Sequence, residues 1–459
     1  MEIKKPNLNP VNAGQMILIV LSILFALITG ASFFLIPSPY APLYVLAGTA
    51  AVIALITWLK KPIWALYFTV FIVLIPIGLI SDQVNSYMGR IATVIAFVVW
   101  VIDVIRRRRR IHLTNSALLM LLFLVWAVIS LIWALYFSEG LTILQKYVLR
   151  LILLLILFVN EIRTKKDLEG LMNTLALSGG LLVVVSVATI FLQGYTSGTR
   201  LQVLGENENS LGISLLITLP GVLWWTLRST KRSSALKKWL AVIFLLTSIG
   251  LIGLSGSRGS IISLGLTLLA LLIWKPTRSW GILGLMTIGL ALIVAPILFS
   301  TTIARFLGET GETILGGRES LWSAALMIIK DHPLFGIGIG NSRYQVISYF
   351  TNLGLYKSLP ESVSLHNPLL VIWAETGIVG LMLYLGVLAS AVLSFIRQYL
   401  QSRRIGGQYI MSYYALVASV FLGYMASWIK GGGMESDLSY FLMLALLIVP
   451  SSLKEISQP

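Results

Sequence analysis

Runs of about 20 apolar residues recur along this chain, each long enough to cross the hydrocarbon layer of a membrane as a helix. Backbone polar groups find no water in that layer, so a spanning segment must satisfy them internally. The runs do not alternate polar and apolar residues as membrane barrel strands do. Charged residues make up only 11% of the chain, against about 25% in soluble domains. The sequence therefore predicts an all-α, polytopic helical membrane protein.

Fourteen candidate spans follow from these runs. They lie near residues 14–36, 42–59, 64–81, 89–105, 115–137, 145–160, 168–192, 209–228, 236–254, 259–274, 280–299, 367–397, 410–429 and 437–453. The first run shows no cleavable signal and is predicted to stay as an anchor. Four segments are expected: N-terminal helices (1–192), helices with arginine-bearing outer turns (193–299), a long extracytoplasmic loop (300–366) and C-terminal helices (367–459).

Basic residues collect in alternate loops, which predicts the orientation of the chain. With a cytoplasmic N-terminus, every short inner loop carries at least two Lys or Arg, as the positive-inside rule requires. Both termini are then cytoplasmic. The densest basic run, Arg106–Arg110, is interpreted as a topology anchor against anionic lipid, and no nucleic-acid partner is expected despite a net charge of +16. The chain has no cysteine, which excludes disulfides and thiolate metal sites.

Eleven basic residues break this bias and lie at the predicted outer side. They are Arg90, Lys146, Arg150, Arg200, Arg258, Arg305, Arg318, Lys330, Arg343, Lys357 and Lys430. Four of them (Arg90, Lys330, Lys357 and Lys430) are expected to pair with acids or to lie in water. Charged residues within spans are costly and mark functional sites, although snorkelling to the interface is the alternative for Lys146 and Arg150. Several cations at one level of one leaflet indicate an anionic group held at the outer surface.

The arginines of two short outer loops are the strongest candidates for that role. Arg258 lies in SGSRG (255–259), where small residues permit close backbone approach and a fixed guanidinium fork. Arg200 lies in the loop 199–209, which also holds Glu206-Asn207-Glu208. These two acids are interpreted as ion pairing or solvated charge, and no metal is expected.

The long loop 300–366 carries two further features. Residues 318–331 place Leu321, Trp322, Ala325, Ile328 and Ile329 on one helical face, which predicts an amphipathic helix flat on the outer surface with Arg318 at its start. The Gly-rich stretch 332–341 follows. A plain turn is expected there, and a phosphate cradle of backbone N–H groups is the alternative.

A further helix is predicted to start directly after His366. Asn367 suits an N-cap and Pro368 a first helical residue. With an ordinary pKa near 6.5, His366 is the candidate general base. Glu375 is expected to lock this helix to a neighbour, and Gly377 to allow tight helix packing. His332 is expected to be a turn residue.

These motifs, SGSRG at 255–259, RESLW and DHPLFGIGIGN within 318–341, and HNPLLVIWAETGIVG at 366–380, resemble the O-antigen ligase and O-antigen polymerase superfamily. The resemblance covers roughly residues 195–400. It implies a C-type glycosyltransferase fold and a reaction that needs neither a metal nor a cofactor. Fourteen spans exceed the number expected for this family, so about 12–14 helices are expected to cross the membrane and one or two to be re-entrant or interfacial. In the family the loop after Arg200 often ends in Pro-Asn, whereas this chain has Glu208-Asn209.

The resemblance also implies a reaction. Such enzymes move glycan from undecaprenyl pyrophosphate to a glycan, lipid or protein hydroxyl outside the bacterial cytoplasmic membrane. Arg258 and Arg318 would then contact the pyrophosphate, with Arg200 as a further contact, and His366 would be the base. Ligase-like transfer is favoured. A polymerase that joins lipid-linked repeat units is the alternative, and a polysaccharide flippase is the rival of another class.

Overall fold

The computed structural model describes residues 41–75, 82–193, 199–203, 208–227, 234–307, 318–352, 362–405, 408–432 and 437–453. Every regular element in these ranges is helical. The predicted span 14–36, Glu206, Asn207 and Lys357 lie outside them. The helix α1 (Ala41–Lys60) belongs to one unit of the chain, and the described residues from Ile63 onward form a second, compact unit.

The helices of the second unit follow the apolar runs closely. Before the long loop they are α2 (Ile63–Leu74), α3 (Asp82–Arg107), α4 (Asn115–Ser130), α5 (Phe137–Arg150), α6 (Phe158–Glu161), α7 (Lys165–Gln193), α8 (Glu208–Leu227), α9 (Ser234–Leu254), α10 (Arg258–Ile273), α11 (Arg278–Leu298) and α12 (Ser300–Leu307). A π-helical segment, Leu151–Leu157, joins α5 to α6. Then follow α13 (Glu319–Asp331), α14 (Ser342–Asn352), α15 (Pro368–Ile405), α16 (Gln408–Ser427) and α17 (Leu438–Ile448).

Eight helices in the described residues are long and apolar enough to cross a membrane, and five shorter apolar helices accompany them. Each predicted span after the first overlaps one of these helices, and residues 76–81 of the span 64–81 lie outside the described residues. The prediction of an all-α, polytopic membrane protein is therefore confirmed. Many leucines and isoleucines on these helices are exposed, which is what a surface facing lipid tails requires.

Helices α10 and α16 pack closely, because small residues lie where they cross. A Cβ atom on Gly423 would collide with the Thr267 hydroxyl and the Ser263 carbonyl. A Cβ atom on Gly259 would lie 3.1 Å from the Ser427 hydroxyl. The start of α10 and the end of α16 are therefore held together, and both carry basic residues at the predicted outer side.

The basic run at residues 106–110 is partly neutralised within the protein. Arg107 and Arg109 lie 2.7 and 3.2 Å from the carboxylate of Asp103, which is buried. Arg109 also lies 2.8 Å from Glu161 at the end of α6. Arg109 is therefore held by acids of two helices, and the contact with Glu161 could not be predicted from the local sequence.

The predicted orientation can be tested with single cysteines, since the chain has none. Ala235, before the apolar part of α9, and Ser348, on α14, are both exposed. In intact cells, a membrane-impermeant thiol reagent should label Ser348→Cys and spare Ala235→Cys. Both positions should react after the membrane is opened with detergent. Labelling of Ala235→Cys in intact cells would contradict the orientation.

Candidate active site

The turn between α9 and α10 organises the basic residues. Ser257 caps α10 by accepting a hydrogen bond from the Ser260 N–H at 3.3 Å. Gly256 has a φ of +61°, in the left-handed region that favours glycine. This backbone geometry places Arg258 at the first helical position and exposes the carbonyls of the turn to partners from other segments.

Arg200 packs directly on this turn. Its Nε donates to the Ser255 carbonyl at 2.9 Å, and its Nη2 donates to Asn209 Oδ1 at 3.1 Å. The neighbouring Leu201 N–H donates to the Leu254 carbonyl at 3.0 Å. A Cβ atom on Gly256 would lie 3.3 Å from Arg200 Cγ, so the glycine leaves room for the arginine stem. Asn209, in the pair that departs from the family pattern, thus still orients Arg200.

Arg258 and Arg305 are linked across the same turn. The Arg258 guanidinium donates to the Arg305 carbonyl at 3.1 Å, and the Arg305 guanidinium donates to the Gly256 carbonyl at 3.3 Å. The Thr302 hydroxyl donates to the Gly253 carbonyl at 2.7 Å and fixes α12 against the end of α9. We refer to Arg200, Arg258, Arg305 and Arg318 as the basic cluster.

Arg318 reaches this cluster through the end of α16. It donates a hydrogen bond to the carbonyl of Lys430, which lies in a π-helical segment, Trp428–Gly432. The Lys430 side chain is half-buried and interacts electrostatically with both Arg258 and Arg318. The position of Lys430 beside two arginines was not predicted from the sequence, because it follows from the crossing of α10 and α16.

Arg150 and Lys146 lie one turn apart on α5, and both are half-buried. Arg150 interacts electrostatically with Asp437 and with Arg90. Asp437 caps α17 by accepting from the Ser439 N–H at 3.1 Å. The role of Asp437 was not predicted from the sequence, although an Asp followed by an apolar run is the usual signal of an N-cap.

His366 is half-buried and has a φ of +49°, which is uncommon for a residue with a side chain. Its backbone N–H donates to the Ser364 hydroxyl at 3.3 Å. Asn367 Oδ1 then accepts from the Leu369 and Leu370 N–H groups at 3.1 and 3.2 Å. The predicted N-cap is therefore present, and it fixes the backbone that carries the histidine.

The amphipathic helix α13 connects Arg318 to the His366 segment. Arg318 is the N-cap residue of α13, and Trp322 one turn later donates its Nε1–H to the Leu365 carbonyl at 3.1 Å. The predicted apolar face is confirmed. Its residues pack in one buried cluster with α14 and the start of α15; the buried members are Ala324, Ala325, Ile328, Ile329, Ile337, Val346, Leu365, Val371 and Ala374.

Helix α15 is broken at Gly377, which has a φ of +66° and a ψ of −171°. The Ala374 and Glu375 carbonyls freed by this break accept from the Ile337 and Gly338 N–H groups at 2.9 and 2.8 Å. A Cβ atom on Gly377 would collide with the Leu334 carbonyl. The expectation of helix-on-helix packing at Gly377 is therefore wrong: the glycine admits the backbone of the Gly-rich stretch.

The buried Glu375 carboxylate holds the other end of that stretch. Its oxygens accept from the Gly340 N–H at 2.8 Å, the Ser342 N–H at 3.2 Å and the Ser342 hydroxyl at 2.7 Å. Ile339 N–H donates to the Ser130 hydroxyl at 3.1 Å. These N–H groups are engaged inside the protein, so the stretch is a structural turn and the alternative of a phosphate cradle is wrong.

Replacement of Gly377 by alanine should destabilise the protein by at least about 3 kcal/mol, because a strained backbone and a backbone collision add together. Gly386 lies further along α15, where a Cβ atom would make an ordinary contact of 3.5 Å with Leu119. Gly386→Ala should therefore be neutral or stabilising by up to about 1 kcal/mol. Thermal unfolding of the two variants in detergent checks this; equal melting temperatures would contradict the account of the break.

An aromatic groove of about 640 Å³ lies beside the Gly-rich stretch and includes His332, the exposed C-cap residue of α13. Trp126, Trp133 and Phe335 line it, with ring centroids about 6 Å apart. Nearby, burial and the Glu139 carboxylate raise the pKa of Tyr344 above its usual range, so this phenol stays protonated at neutral pH.

Within the described ranges, no group of three or more His, Cys, Asp or Glu is placed to hold a metal ion.

Comparison with known proteins supports the resemblance. Residues 241–385 match the family model described as O-antigen ligase, which confirms the similarity to the O-antigen ligase and polymerase superfamily. The matched region contains Arg258, Arg305, Arg318 and His366, together with the Gly-rich stretch and its contact with α15. No curated protein matches the chain.

Proposed function

We propose that this protein is an O-antigen ligase-like glycosyltransferase, which moves a glycan from undecaprenyl pyrophosphate to an acceptor hydroxyl outside the bacterial cytoplasmic membrane. One observation carries the proposal. Arg318, the N-cap residue of α13, donates to the carbonyl of Lys430, whose side chain lies beside Arg258. On the same helix, Trp322 donates to the carbonyl of Leu365, which precedes His366. One helix within the matched region therefore links an arginine of the basic cluster to the segment of the candidate base.

The basic cluster suits pyrophosphate. Guanidinium groups offer several donors in a fixed plane and bind phosphate oxygens in pairs. Arg200 and Arg258 are oriented by backbone carbonyls and by Asn209 before any ligand arrives. Such preorganised groups stabilise the charge that develops on a departing pyrophosphate without reorganising during the reaction. Arg150 and Lys146 are proposed to bind the donor at the membrane edge of the site.

His366 is proposed to activate the acceptor. The acceptor oxygen attacks the anomeric carbon, the bond from that carbon to the pyrophosphate oxygen breaks, and His366 takes the proton of the hydroxyl. The products are the glycosylated acceptor, polyprenyl pyrophosphate and a protonated histidine that returns its proton to water. Attack opposite the leaving group inverts the anomeric carbon. Asn367, Glu375 and Gly377 support this arrangement through the contacts of the helix start and break.

A polymerase, which joins two lipid-linked repeat units, is the second candidate, because the family match covers both activities. The two differ in the acceptor. With purified protein and lipid-linked glycan alone, a polymerase lengthens the glycan, whereas a ligase forms product only when a separate acceptor is added.

The proposal is tested by incubating purified protein in detergent with a lipid-linked glycan and candidate acceptors, without any membrane or gradient. Glycan should appear on the acceptor, and EDTA should leave the rate unchanged. A flippase would give no covalent product under these conditions. Loss of the activity with EDTA would contradict a metal-independent reaction.

A further inference from the structure

Lys430 lies beside Arg258 and Arg318, and its position follows from the fold. It is half-buried at the end of α16, which the crossing at Gly423 and Gly259 holds against the start of α10. Its own carbonyl accepts the hydrogen bond of Arg318. The backbone around Lys430 therefore orients one arginine, while its ammonium group interacts electrostatically with that arginine and with Arg258.

The local backbone is unusual as well. Residues Trp428–Gly432 form a π-helical turn at the end of an α-helix. Such turns are rare and occur frequently at functional sites, because the extra residue re-aims the side chains that follow. Trp428 is buried against Tyr384 and Tyr440 in stacked rings, with centroids 6.4 and 4.6 Å away, and this stacking fixes the start of the turn.

Two neighbouring guanidinium groups repel an ammonium group, and a half-buried position weakens the solvent screening of that repulsion. Clustered cations that the fold forces together are stabilised by a bound anion. We propose that Lys430 is a further binding residue for the pyrophosphate of the lipid-linked donor, adding a compact point charge between the flat forks of Arg258 and Arg318. This inference rests on the proposed function of the basic cluster.

The test compares three substitutions in the full-length protein. Lys430→Gln removes the charge at nearly constant size, and Lys430→Arg keeps it. Lys330→Gln is the matched control, since Lys330 is an exposed lysine in the last turn of α13. Binding of inorganic pyrophosphate, in the presence of EDTA, is measured by calorimetry and as competitive inhibition of transfer.

Lys430→Gln should weaken pyrophosphate binding about tenfold or more, as expected for a lost charge-assisted hydrogen bond, and should raise KM for the donor by a similar factor. The pyrophosphate affinity and the KM of Lys430→Arg should stay within a few-fold of the wild-type values, and those of Lys330→Gln should equal them. Without ligand, Lys430→Gln should unfold at the same or a higher temperature, because it relieves repulsion between like charges.

Two results would overturn the inference, and they are distinguishable. If wild type binds pyrophosphate and transfers glycan but Lys430→Gln binds pyrophosphate equally well, Lys430 is not a binding residue and the proposed function stands. If wild type neither binds pyrophosphate nor transfers glycan, both proposals fall. A lower melting temperature with unchanged binding would assign Lys430 a purely structural role.

Discussion

Replacement of His366 by alanine should lower the rate of glycan transfer by about 10²–10⁴-fold, the usual contribution of a general base. Donor binding should change little, since the pyrophosphate is assigned to the basic cluster. The histidine backbone is fixed by Ser364 and by the Asn367 cap, so removal of the ring leaves the helix start in place. The variant should therefore accumulate uncleaved donor in a folded protein.

His332→Ala is the matched control. His332 is exposed, and it ends α13 through hydrogen bonds of its backbone N–H and carbonyl to Ile328 and Gly336. Its transfer rate should lie within a few-fold of wild type. The two variants are compared by initial rates of transfer and by the affinity for donor. If His366→Ala retains wild-type activity, or loses donor binding instead of turnover, His366 is not the base.

Replacement of Arg258 or Arg318 by alanine should lower kcat/KM by about 10²–10³-fold, the cost of removing one preorganised charge donor from a reaction centre. Lysine at either position should restore little of the lost activity, because a point charge cannot reproduce two parallel hydrogen bonds to phosphate. Each arginine also donates to a backbone carbonyl, at Arg305 and at Lys430 respectively. Melting temperatures of the variants in detergent separate this structural contact from binding.

Arg278→Ala supplies the control for these arginine substitutions. Arg278 begins α11 as Arg258 begins α10, and it too donates to a backbone carbonyl, that of Leu272 at 3.0 Å. It lies on the predicted inner side and should leave kcat/KM unchanged. Near-normal activity of Arg258→Lys and Arg318→Lys would mean that these positions supply charge alone.

The helices were predictable from the sequence, because a membrane sets both the length and the composition of any segment that crosses it. The start of α15 was predictable for a local reason: Asn367 and Pro368 occupy the positions where capping and a fixed φ favour a first turn. The apolar face of α13 followed in the same way from the spacing of its residues.

Other features depend on contacts between distant segments and had no local signal. The break at Gly377 exists because residues 333–338 supply hydrogen bonds to it. A glycine followed by apolar residues looks the same in an unbroken helix. Lys430 lies beside two arginines because Gly259 and Gly423 let two helices cross closely. The sequence shows the glycines, but it does not show which helix packs against each of them.

The proposed function requires this protein to break the bond between a glycan and its lipid pyrophosphate. The decisive experiment follows the reaction of purified protein with a donor of known anomeric configuration. Polyprenyl pyrophosphate and glycosylated acceptor should form in equal amounts, with the anomeric configuration inverted. Retained configuration, or transport of intact donor without release of polyprenyl pyrophosphate, would contradict it.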